Sequence, residues 1–147
     1  MEFKLNEDQQ MIHDLAKDFA ESVLQPRIDE IEAGEMTEVS NGEKHPQLPH
    51  DIHQQLAECG FIGIPEEYNG LGMGHVEQAI VIKELSRISP SVGKCLDVYI
   101  LGLEALDLYA SPEQKEKYLA PCCSGEQTVS FAFTEPDTGS DPKMLKT

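Results

Sequence analysis

The last residues of the chain, FAFTEPDTGSDPKMLKT, contain the side chains best suited to holding a ligand. Thr134 and Ser140 carry small hydroxyl groups, which both donate and accept hydrogen bonds. Pro136 stiffens the backbone between them, and Gly139 allows another group to approach the backbone closely. Such a turn could bind the oxygen atoms of a ligand, although an ordinary polar turn after a strand would have the same composition. Whether this segment is a ligand-binding turn or an ordinary polar turn depends on the elements that surround it.

Two histidines form a second candidate site. His50 and His53 lie three residues apart near a predicted helix start, a spacing that is compatible with metal binding. No cysteine or carboxylate set accompanies them at a known ligand spacing, so we predict no metal site. The chain's cysteines show neither CxxC spacing nor a disulfide framework, which predicts reduced thiols with a structural role.

Composition narrows the class of protein. The 147 residues are enough for one ordinary globular domain, and 27 acidic against 11 basic residues give a formal charge of −16. This charge repels nucleic-acid phosphates and anionic membrane surfaces. No apolar run approaches the roughly 20 residues of a membrane span, and MEFKLNEDQQ lacks the core of a signal peptide. We therefore expect a cytoplasmic protein that binds neither nucleic acid nor membranes.

Helical periodicity dominates the first part of the chain. Asn6 is a predicted N-cap, Pro26 is expected to kink or end the first helix, and Pro121 is expected to end the last one. The predicted helices run from about Asn6 to Gly34, Pro49 to Cys59, Val76 to Ile88, Pro90 to Tyr109 and Ser111 to Pro121.

The segments between and after these helices complete the prediction. GEMTEVSNGEKHPQ reads as a surface loop, and the glycine-rich FIGIPEEYNGLGMG as a shaped connector. In the third helix, Val76, Ala79, Ile80, Lys83, Glu84 and Leu85 are expected to face inward. The helix after Pro90 is apolar almost all round, which places it in the middle of a bundle. We predict a mainly α, up-and-down helical bundle to about residue 124, followed by a strand from Thr128 to Thr134.

Four segments resemble, in the same order, motifs of the acyl-CoA dehydrogenase family. These segments are GFIGIPEEYNGLGM, KELSRISPSV, SPEQKEKYLAPCCSGE and FAFTEPDTGSD. The resemblance covers nearly the whole chain, and it implies an N-terminal helical domain over residues 1–124 and the first strand and flavin-binding turn of a middle β domain over residues 125–147. Members of the family continue through a β-barrel and a second helical bundle, so we expect this chain to be a fragment or a truncated product. A strand that pairs locally in a self-contained small fold is the alternative.

The resemblance implies a flavoprotein oxidoreductase of fatty acid metabolism that uses FAD. The reaction is α,β-dehydrogenation of an acyl-CoA thioester, in which a base removes the α proton and hydride passes from the β carbon to the flavin. The matching positions assign cofactor binding to Phe131, Phe133, Thr134, Gly139 and Ser140.

The chain departs from the family pattern within that same segment. Asp137 and Thr138 stand where many members carry a smaller residue. A carboxylate near a pyrophosphate is unfavourable unless it points to solvent, so Asp137 bears on the strength of flavin binding.

Substrate positions follow from the same resemblance. Ser140 matches a residue that contacts acyl-CoA, while Gly93, Asp97 and Leu101, spaced by four, match positions that line the acyl cavity. A buried, unpaired Asp97 would be costly, so it either faces water or meets a polar group such as Lys94, three residues earlier in the helix.

The resemblance also implies what lies outside the chain. It places the catalytic base beyond Thr147, so no residue of this chain is assigned that role, and Glu135 is not the base. The implied partners are acyl-CoA, an electron-transfer flavoprotein as electron acceptor, and further copies of the complete enzyme in a homo-oligomer. The alternative function is a stand-alone helical module that binds acyl-CoA or another protein without catalysis.

Overall fold

Helices form most of the described chain. The computed structural model describes residues 4–38, 44–62, 65–68 and 70–146. Within them the α-helices are α1 (Glu7–Phe19), α2 (Ile28–Ala33), α3 (His50–Glu58), α4 (His75–Ile88), α5 (Pro90–Tyr109), α6 (Pro112–Gln114) and α7 (Ala120–Cys123). Short 3₁₀ turns occur at Gln25–Arg27, Glu66–Tyr68 and Pro142–Met144.

Helix starts follow local side-chain chemistry, as predicted. The Asn6 side chain accepts a hydrogen bond from the backbone N–H of Gln9 at 2.8 Å, and the Gln9 side chain accepts one from the Asn6 N–H at 3.2 Å. Ser111 and Gln114 form the same reciprocal pair before α6. These capping boxes satisfy backbone donors that a helix start leaves unpaired.

Two prolines lie in helical paths that continue beyond them. A π turn, Ala20–Leu24, and a 3₁₀ turn, Gln25–Arg27, interrupt the α-helical hydrogen-bond pattern around Pro26, and the chain resumes α-helix in α2. A second π turn, Lys115–Leu119, precedes Pro121, which lies in the first turn of α7. The prediction that Pro121 ends the last helix is therefore wrong. A proline in the first turn of a helix costs no hydrogen bond, because the N–H that proline lacks would be unpaired there. The π turn before Pro121 also interrupts the ordinary α-helical hydrogen-bond pattern.

A short hairpin replaces most of the predicted surface loop. Strands β1 (Glu35–Glu38) and β2 (Lys44–Gln47) pair antiparallel, with Glu35 opposite Gln47 and Glu38 opposite Lys44. Residues 39–43 lie outside the described residues. Strands of four residues are too short to give a clear alternating pattern, which explains why the sequence did not reveal them.

The core forms around the packing of α1 on α4 and of α4 on α5, and side chains from α3, from the residues after it and from the two π turns complete it. Its largest fully buried apolar side chains are Leu24, Ile52, Leu56, Phe61, Ile62, Val81, Leu85, Val92, Leu103 and Leu119. The predicted inward face of α4 is correct for Ile80, Glu84 and Leu85 and wrong for the residues that are exposed, namely Val76, Ala79 and Lys83. Gln78 and Val81 are buried in their place, because the helix faces α1 and α5 together.

Glu84 is a buried carboxylate between α1 and α4, with only 4% of its surface exposed. Its oxygens lie 2.9 Å from Lys83 Nζ, 3.2 Å from Arg87 Nε and 3.4 Å from His13 Nε2. Burial alone would raise the pKa of Glu84, but the hydrogen bonds from Lys83 and Arg87 outweigh it and lower the pKa. Arg87 also reaches Glu21 at 2.8 Å, so the cluster joins the first helical segment to α4.

The predicted strand from Thr128 to Thr134 does not form in the described structure. These residues have neither helical nor strand hydrogen bonding, and the nearest pairing is an isolated bridge between Glu135 and Thr138. An extended segment needs a neighbouring strand to form a ladder. The division of the chain at residues 124 and 125 stays a prediction.

Candidate functional site

A cavity of about 570 Å³ lies between α3, α5 and the segment that follows α7. Helix α3 contributes His50 and His53, helix α5 contributes Val98 and Tyr99, and residues 128–131 form another wall. We call residues 126–131 the closing segment. The volume is within the range of small-molecule sites, about 300–1,000 Å³.

Gly125 directs the closing segment toward α3. It has φ +77°, and its N–H donates to the carbonyl of Cys122 at 3.1 Å while the next N–H, that of Glu126, donates to Pro121 at 3.0 Å. This is the Schellman arrangement that ends a helix at a left-handed glycine. A Cβ at Gly125 would lie 2.8 Å from Ala57 Cβ, so the helix end rests directly on α3.

Helix α5 holds the closing segment at two points. The Tyr99 hydroxyl donates to the carbonyl of Gln127 at 2.5 Å. Two residues later, Val129 packs on Gly102, where an added Cβ would lie 3.1 Å from both Val129 methyl groups. Burial raises the pKa of Tyr99, so its hydroxyl stays protonated and continues to donate.

His53 is the buried polar group of the cavity, with 8% of its surface exposed. Its ring centre lies 4.9 Å from that of Tyr99, edge to face, and 6.3 Å from that of His50. Burial lowers the pKa of His53, and the Gln127 carbonyl offsets this only in part. A neutral imidazole therefore lines the cavity, and its Nε2 has no hydrogen-bond partner among the described residues.

The predicted flavin residues lie in the next stretch, residues 131–146, which we call the C-terminal turn. Phe131 and Phe133 stack with ring centres 5.7 Å apart, and 39% and 38% of their surfaces are exposed. A Cβ at Gly139 would lie 3.0 Å from Thr134 Cγ2 and 3.3 Å from its Oγ1. A side chain at position 139 would therefore crowd Thr134, and glycine leaves the two in close approach without that crowding. Thr134 and Ser140 are both exposed.

Two acidic residues of the C-terminal turn, Glu135 and Asp137, have partners within the turn itself. The backbone of Glu135 and that of Thr138 exchange two hydrogen bonds, at 2.9 and 3.2 Å. The carboxylate of Glu135 accepts from the backbone N–H of Lys146 at 3.0 Å. Asp137 is 76% exposed and pairs with Lys146 Nζ at 2.9 Å. The Asp137 carboxylate is thus exposed to solvent, which is the arrangement in which a carboxylate near a pyrophosphate is tolerated.

The three helical substrate candidates do not share one surface. Gly93 is buried against α4, where an added Cβ would lie 1.9 Å from Ser86 Oγ. Asp97 forms an exposed ion pair with Lys94 at 2.9 Å, and Leu101 is 46% exposed. Residues spaced by four drift by about 40° per step around a helix, so Leu101 points about 80° away from Gly93.

Sequence reasoning missed the residues that shape the cavity. It considered His53 only as a metal ligand and did not single out Tyr99, Val129 or Gly125 as site residues. A tyrosine on an apolar helix and a glycine after a helix are common core and capping features, so their types alone gave no signal. The described residues also include no group of three or more His, Cys, Asp or Glu side chains placed to hold a metal ion.

Comparison with known proteins identifies the family. Residues 6–126 match the family model described as Acyl-CoA dehydrogenase, N-terminal domain. The chain belongs to the acyl-CoA dehydrogenase family.

Its relatives within the family include both reductases and dehydrogenases. It is 37% identical over 145 residues to the 3-(aryl)acrylate reductase of Clostridium sporogenes, covering 96% of this chain and 35% of that protein. It is 34% identical over 149 residues to the acryloyl-CoA reductase (NADH) of Anaerotignum propionicum, covering 100% and 35%.

Solved acyl-CoA dehydrogenase folds agree with this assignment. A chain solved in work on the electron transferring flavoprotein of Acidaminococcus fermentans superposes with a TM-score of 0.80 at 33% identity, covering 99% of this chain and 36% of that one. An acyl-CoA dehydrogenase from Bacillus anthracis, complexed with FAD, gives 0.76 at 25% identity, covering 97% and 23%. The mainly helical fold is therefore that of the family's N-terminal domain, and the chain spans about 35% of the length of the curated relatives above. In the parts of the chain that the structure describes, every helix is too short or too polar to be a membrane span.

Proposed function

We propose that this chain is the N-terminal part of a flavin-dependent enzyme that acts on the α,β carbon–carbon bond of acyl-CoA thioesters. The observation that carries the proposal is the C-terminal turn, in which Gly139 lies against Thr134 with exposed hydroxyl groups nearby. Both relatives described above are named as reductases, whereas the Bacillus anthracis structure is named as a dehydrogenase. A dehydrogenase forms the α,β double bond of the thioester, and a reductase saturates the same double bond.

The C-terminal turn fits a flavin nucleotide. Small donors at Thr134 and Ser140 suit the oxygens of the flavin and its phosphates, and the side chain missing from Gly139 allows close approach. Phe131 and Phe133 offer exposed aromatic surface to a flat ring system. When bound, FAD supplies the hydride chemistry at the β carbon, and the protein supplies position and electrostatics.

Charge in the turn favours the same proposal. An exposed carboxylate beside a pyrophosphate would repel it, but Asp137 is directed to Lys146. Glu135 is occupied with the backbone of Lys146, so it is not proposed as the base that moves the α proton. We assign no catalytic base to this chain, in line with the expectation that it lies beyond Thr147.

For the acyl group we propose Ser140, Asp97 and Leu101 as contacts. Leu101 offers exposed apolar surface on α5, and Asp97 lies on the same helix one turn earlier. For Gly93 we propose an indirect role, because its position against Ser86 lets α5 pack closely on α4. It thereby positions the helix that carries the other two.

An electron-transfer flavoprotein is the proposed electron partner of the complete enzyme. The structural likeness to a chain solved in work on such a flavoprotein supports this partner. The homo-oligomeric state of the complete enzyme is likewise a proposal from the family resemblance.

The experiment that tests this function uses the complete protein encoded by the reading frame. We expect it to purify with bound flavin, and we expect an acyl-CoA thioester to bleach the oxidised flavin or an enoyl-CoA thioester to reoxidise the reduced one. Gly139→Val should lose flavin because its side chain would meet Thr134, whereas Asp137→Asn, which changes an exposed ion pair, should retain it. A complete protein without flavin, or with flavin that no acyl-CoA or enoyl-CoA thioester alters, would contradict the proposal.

The second candidate function is a binding module that acts without catalysis. The observation that favours it is the cavity of about 570 Å³, which the helical domain builds with the closing segment and without any group from elsewhere. A flavin-free complete protein that still binds acyl-CoA would support this alternative.

A further inference from the structure

Residues 128–134, which read TVSFAFT, have the shape of a strand without the hydrogen bonds of one. Phe131 and Phe133 stack with their ring planes 15° apart, as side chains two positions apart do on one face of an extended backbone. No backbone–backbone hydrogen bond joins the TVSFAFT segment to any of the residues that the structure describes. Exposed backbone groups of this kind are a template for pairing with another strand.

Helix α5 occupies one edge of the TVSFAFT segment. The Tyr99 hydroxyl donates to the Gln127 carbonyl at 2.5 Å, and the backbone N–H of Val129 is directed to the same hydroxyl. Alternate residues of an extended chain turn their backbone groups to the same edge, so the edge that begins with Gln127 faces α5. The opposite edge, which we call the outer edge, carries the backbone groups of four exposed residues: Thr128, Ser130, Ala132 and Thr134. A partner strand therefore adds to the outer edge.

The TVSFAFT segment also has the composition of a pairing strand. Its threonine, valine and phenylalanine side chains favour strands, and it contains no proline. It contains no charged residue either, although the chain has a formal charge of −16. Like charges repel two copies of so acidic a chain, so the copies associate most readily where the surface carries no charge.

The order of residues in the segment selects a second copy of the chain as its partner. TVSFAFT reads nearly the same in both directions, so an antiparallel pair centred on Phe131 brings similar side chains together. The opposing pairs are Thr128 with Thr134, Val129 with Phe133, Ser130 with Ala132, and Phe131 with Phe131 of the second copy. Threonine pairs and aromatic pairs with β-branched or aromatic partners stabilise antiparallel strands. Just beyond the segment Glu135 faces Gln127, so this register opposes no two acidic residues.

We propose that the 147-residue chain forms a two-fold symmetric dimer, in which the outer edges of two TVSFAFT segments pair antiparallel about Phe131. The outer-edge backbone groups then make about eight hydrogen bonds between the copies, and Phe131 lies in the central non-hydrogen-bonded pair. A two-fold axis at Phe131 makes the contact close on itself, because both copies use the same residues. The pairing requires neither flavin nor acyl-CoA, so it goes beyond the proposed function.

The first test is the mass of the chain in solution, measured by sedimentation equilibrium at protein concentrations up to about 1 mM. Such high concentrations are needed because one strand pair buries less surface than the roughly 1,200 Å² of stable interfaces. We expect the mass to rise toward twice that of the monomer and no further, since α5 occupies the inner edge.

A backbone variant with a matched control shows whether the outer edge forms the contact. Ala132→Pro removes one outer-edge N–H from each copy, so two hydrogen bonds are lost and the dimer should dissociate about 5- to 150-fold more readily. Ala132→Val keeps the N–H and places a strand-favouring side chain at the same exposed position, so it should retain the dimer.

Two charge variants test the register. Phe131 lies opposite its own copy, so Phe131→Lys sets two lysine side chains face to face, and Phe131→Glu sets two glutamates there. Like charges directly opposite each other destabilise a strand pair, whereas opposite charges stabilise it. Each variant alone should therefore be monomeric, and an equimolar mixture of the two should form a heterodimer. Circular dichroism checks that all variants fold, and the mixture gives the result even if Ala132→Pro does not fold.

Four results would overturn the proposal: a wild-type chain that stays monomeric, a dimer that Ala132→Pro leaves unchanged, a mixture of the two Phe131 variants that stays monomeric, or association that continues beyond the dimer. A monomeric wild-type chain would leave the segment to a strand of another sequence. These measurements contain neither flavin nor an acyl-CoA thioester, so their failure would contradict the dimer alone. A complete protein without flavin would instead contradict the proposed function.

Discussion

Replacing Gly125 with alanine should destabilise the fold more than the same change at another left-handed glycine. Gly125 has φ +77° and Gly72 has φ +59°, so alanine is strained at both positions. Their surroundings differ. The new Cβ at position 125 would lie 2.8 Å from Ala57 Cβ and 3.3 Å from the backbone Cα of Gln54, both fixed parts of α3. At position 72 it would meet only the side chain of Glu66, which can move.

The two costs can be estimated separately. The left-handed conformation costs a non-glycine residue about 1–2 kcal/mol, and this term is shared by both variants. Overpacking against fixed neighbours adds about 1–3 kcal/mol at Gly125 only. The smaller entropy of an unfolded alanine chain offsets about 0.4–1 kcal/mol in both cases. We therefore expect Gly125→Ala to be less stable than Gly72→Ala by about 1–3 kcal/mol, the packing term alone.

Urea unfolding followed by circular dichroism gives this difference, provided that the two variants have similar m-values. Amide exchange should add a local signature: faster exchange across the closing segment in Gly125→Ala and none in Gly72→Ala, because Gly125 sets the direction of that segment. If Gly125→Ala proved as stable as Gly72→Ala, the helix end would not rest on α3 as described.

Four further outcomes are expected. Tyr99→Phe removes the hydrogen bond to the Gln127 carbonyl, so it should cost about 0.5–1.5 kcal/mol and speed amide exchange at Val129; unchanged exchange would contradict this anchor. Asp97→Ala should change stability by less than about 0.5 kcal/mol, yet alter the ratio of kcat/KM across acyl chains in the complete enzyme. An unchanged ratio would assign Asp97 to its surface ion pair. Because the folded pKa of Glu84 is below 4.5, its contribution to stability is full above pH 4.5 and is lost as the pH falls through the folded value. Glu84→Gln should therefore flatten the acid limb of a stability-against-pH curve, and an equally steep limb would contradict the ion cluster. The 147-residue chain alone should neither retain FAD through gel filtration nor oxidise acyl-CoA, since only the C-terminal turn of the proposed flavin site is present in it; a stably yellow chain that bleaches with substrate would contradict this.

Local chemistry made the helices predictable. Asn6 and Ser111 satisfy the N–H groups of the helices that they begin, and Gly34 and Gly60 adopt positive φ values of 69° and 73° just after helices. Each of these signals involves residues within one helical turn of each other, so the sequence alone contains it. The position of the C-terminal turn was likewise predictable, because its glycine and hydroxyl residues lie close together in the chain.

Contacts between distant residues explain what the sequence did not predict. The closing segment depends on Tyr99 reaching Gln127 and on Gly102 admitting Val129, pairs separated by more than twenty positions. Neither pair forms a local pattern that periodicity could detect. Pro121 lies within helical structure that continues from a π turn, and the extra residue of a π turn has no recognisable signature in the amino-acid sequence.

The two glycines of α5 give the cavity an indirect dependence on α4. Gly93 and Gly102 lie about two and a half turns apart on a helix with about 3.6 residues per turn, and therefore on opposite faces. One glycine sets the distance from α5 to α4, and the other sets the distance from α5 to the closing segment. A bulkier residue at Ser86 would push α5 away from α4 and toward Val129, so it would narrow the cavity from behind. Cavity size can thus be altered through a position that contacts no ligand, in steps as small as one methyl group.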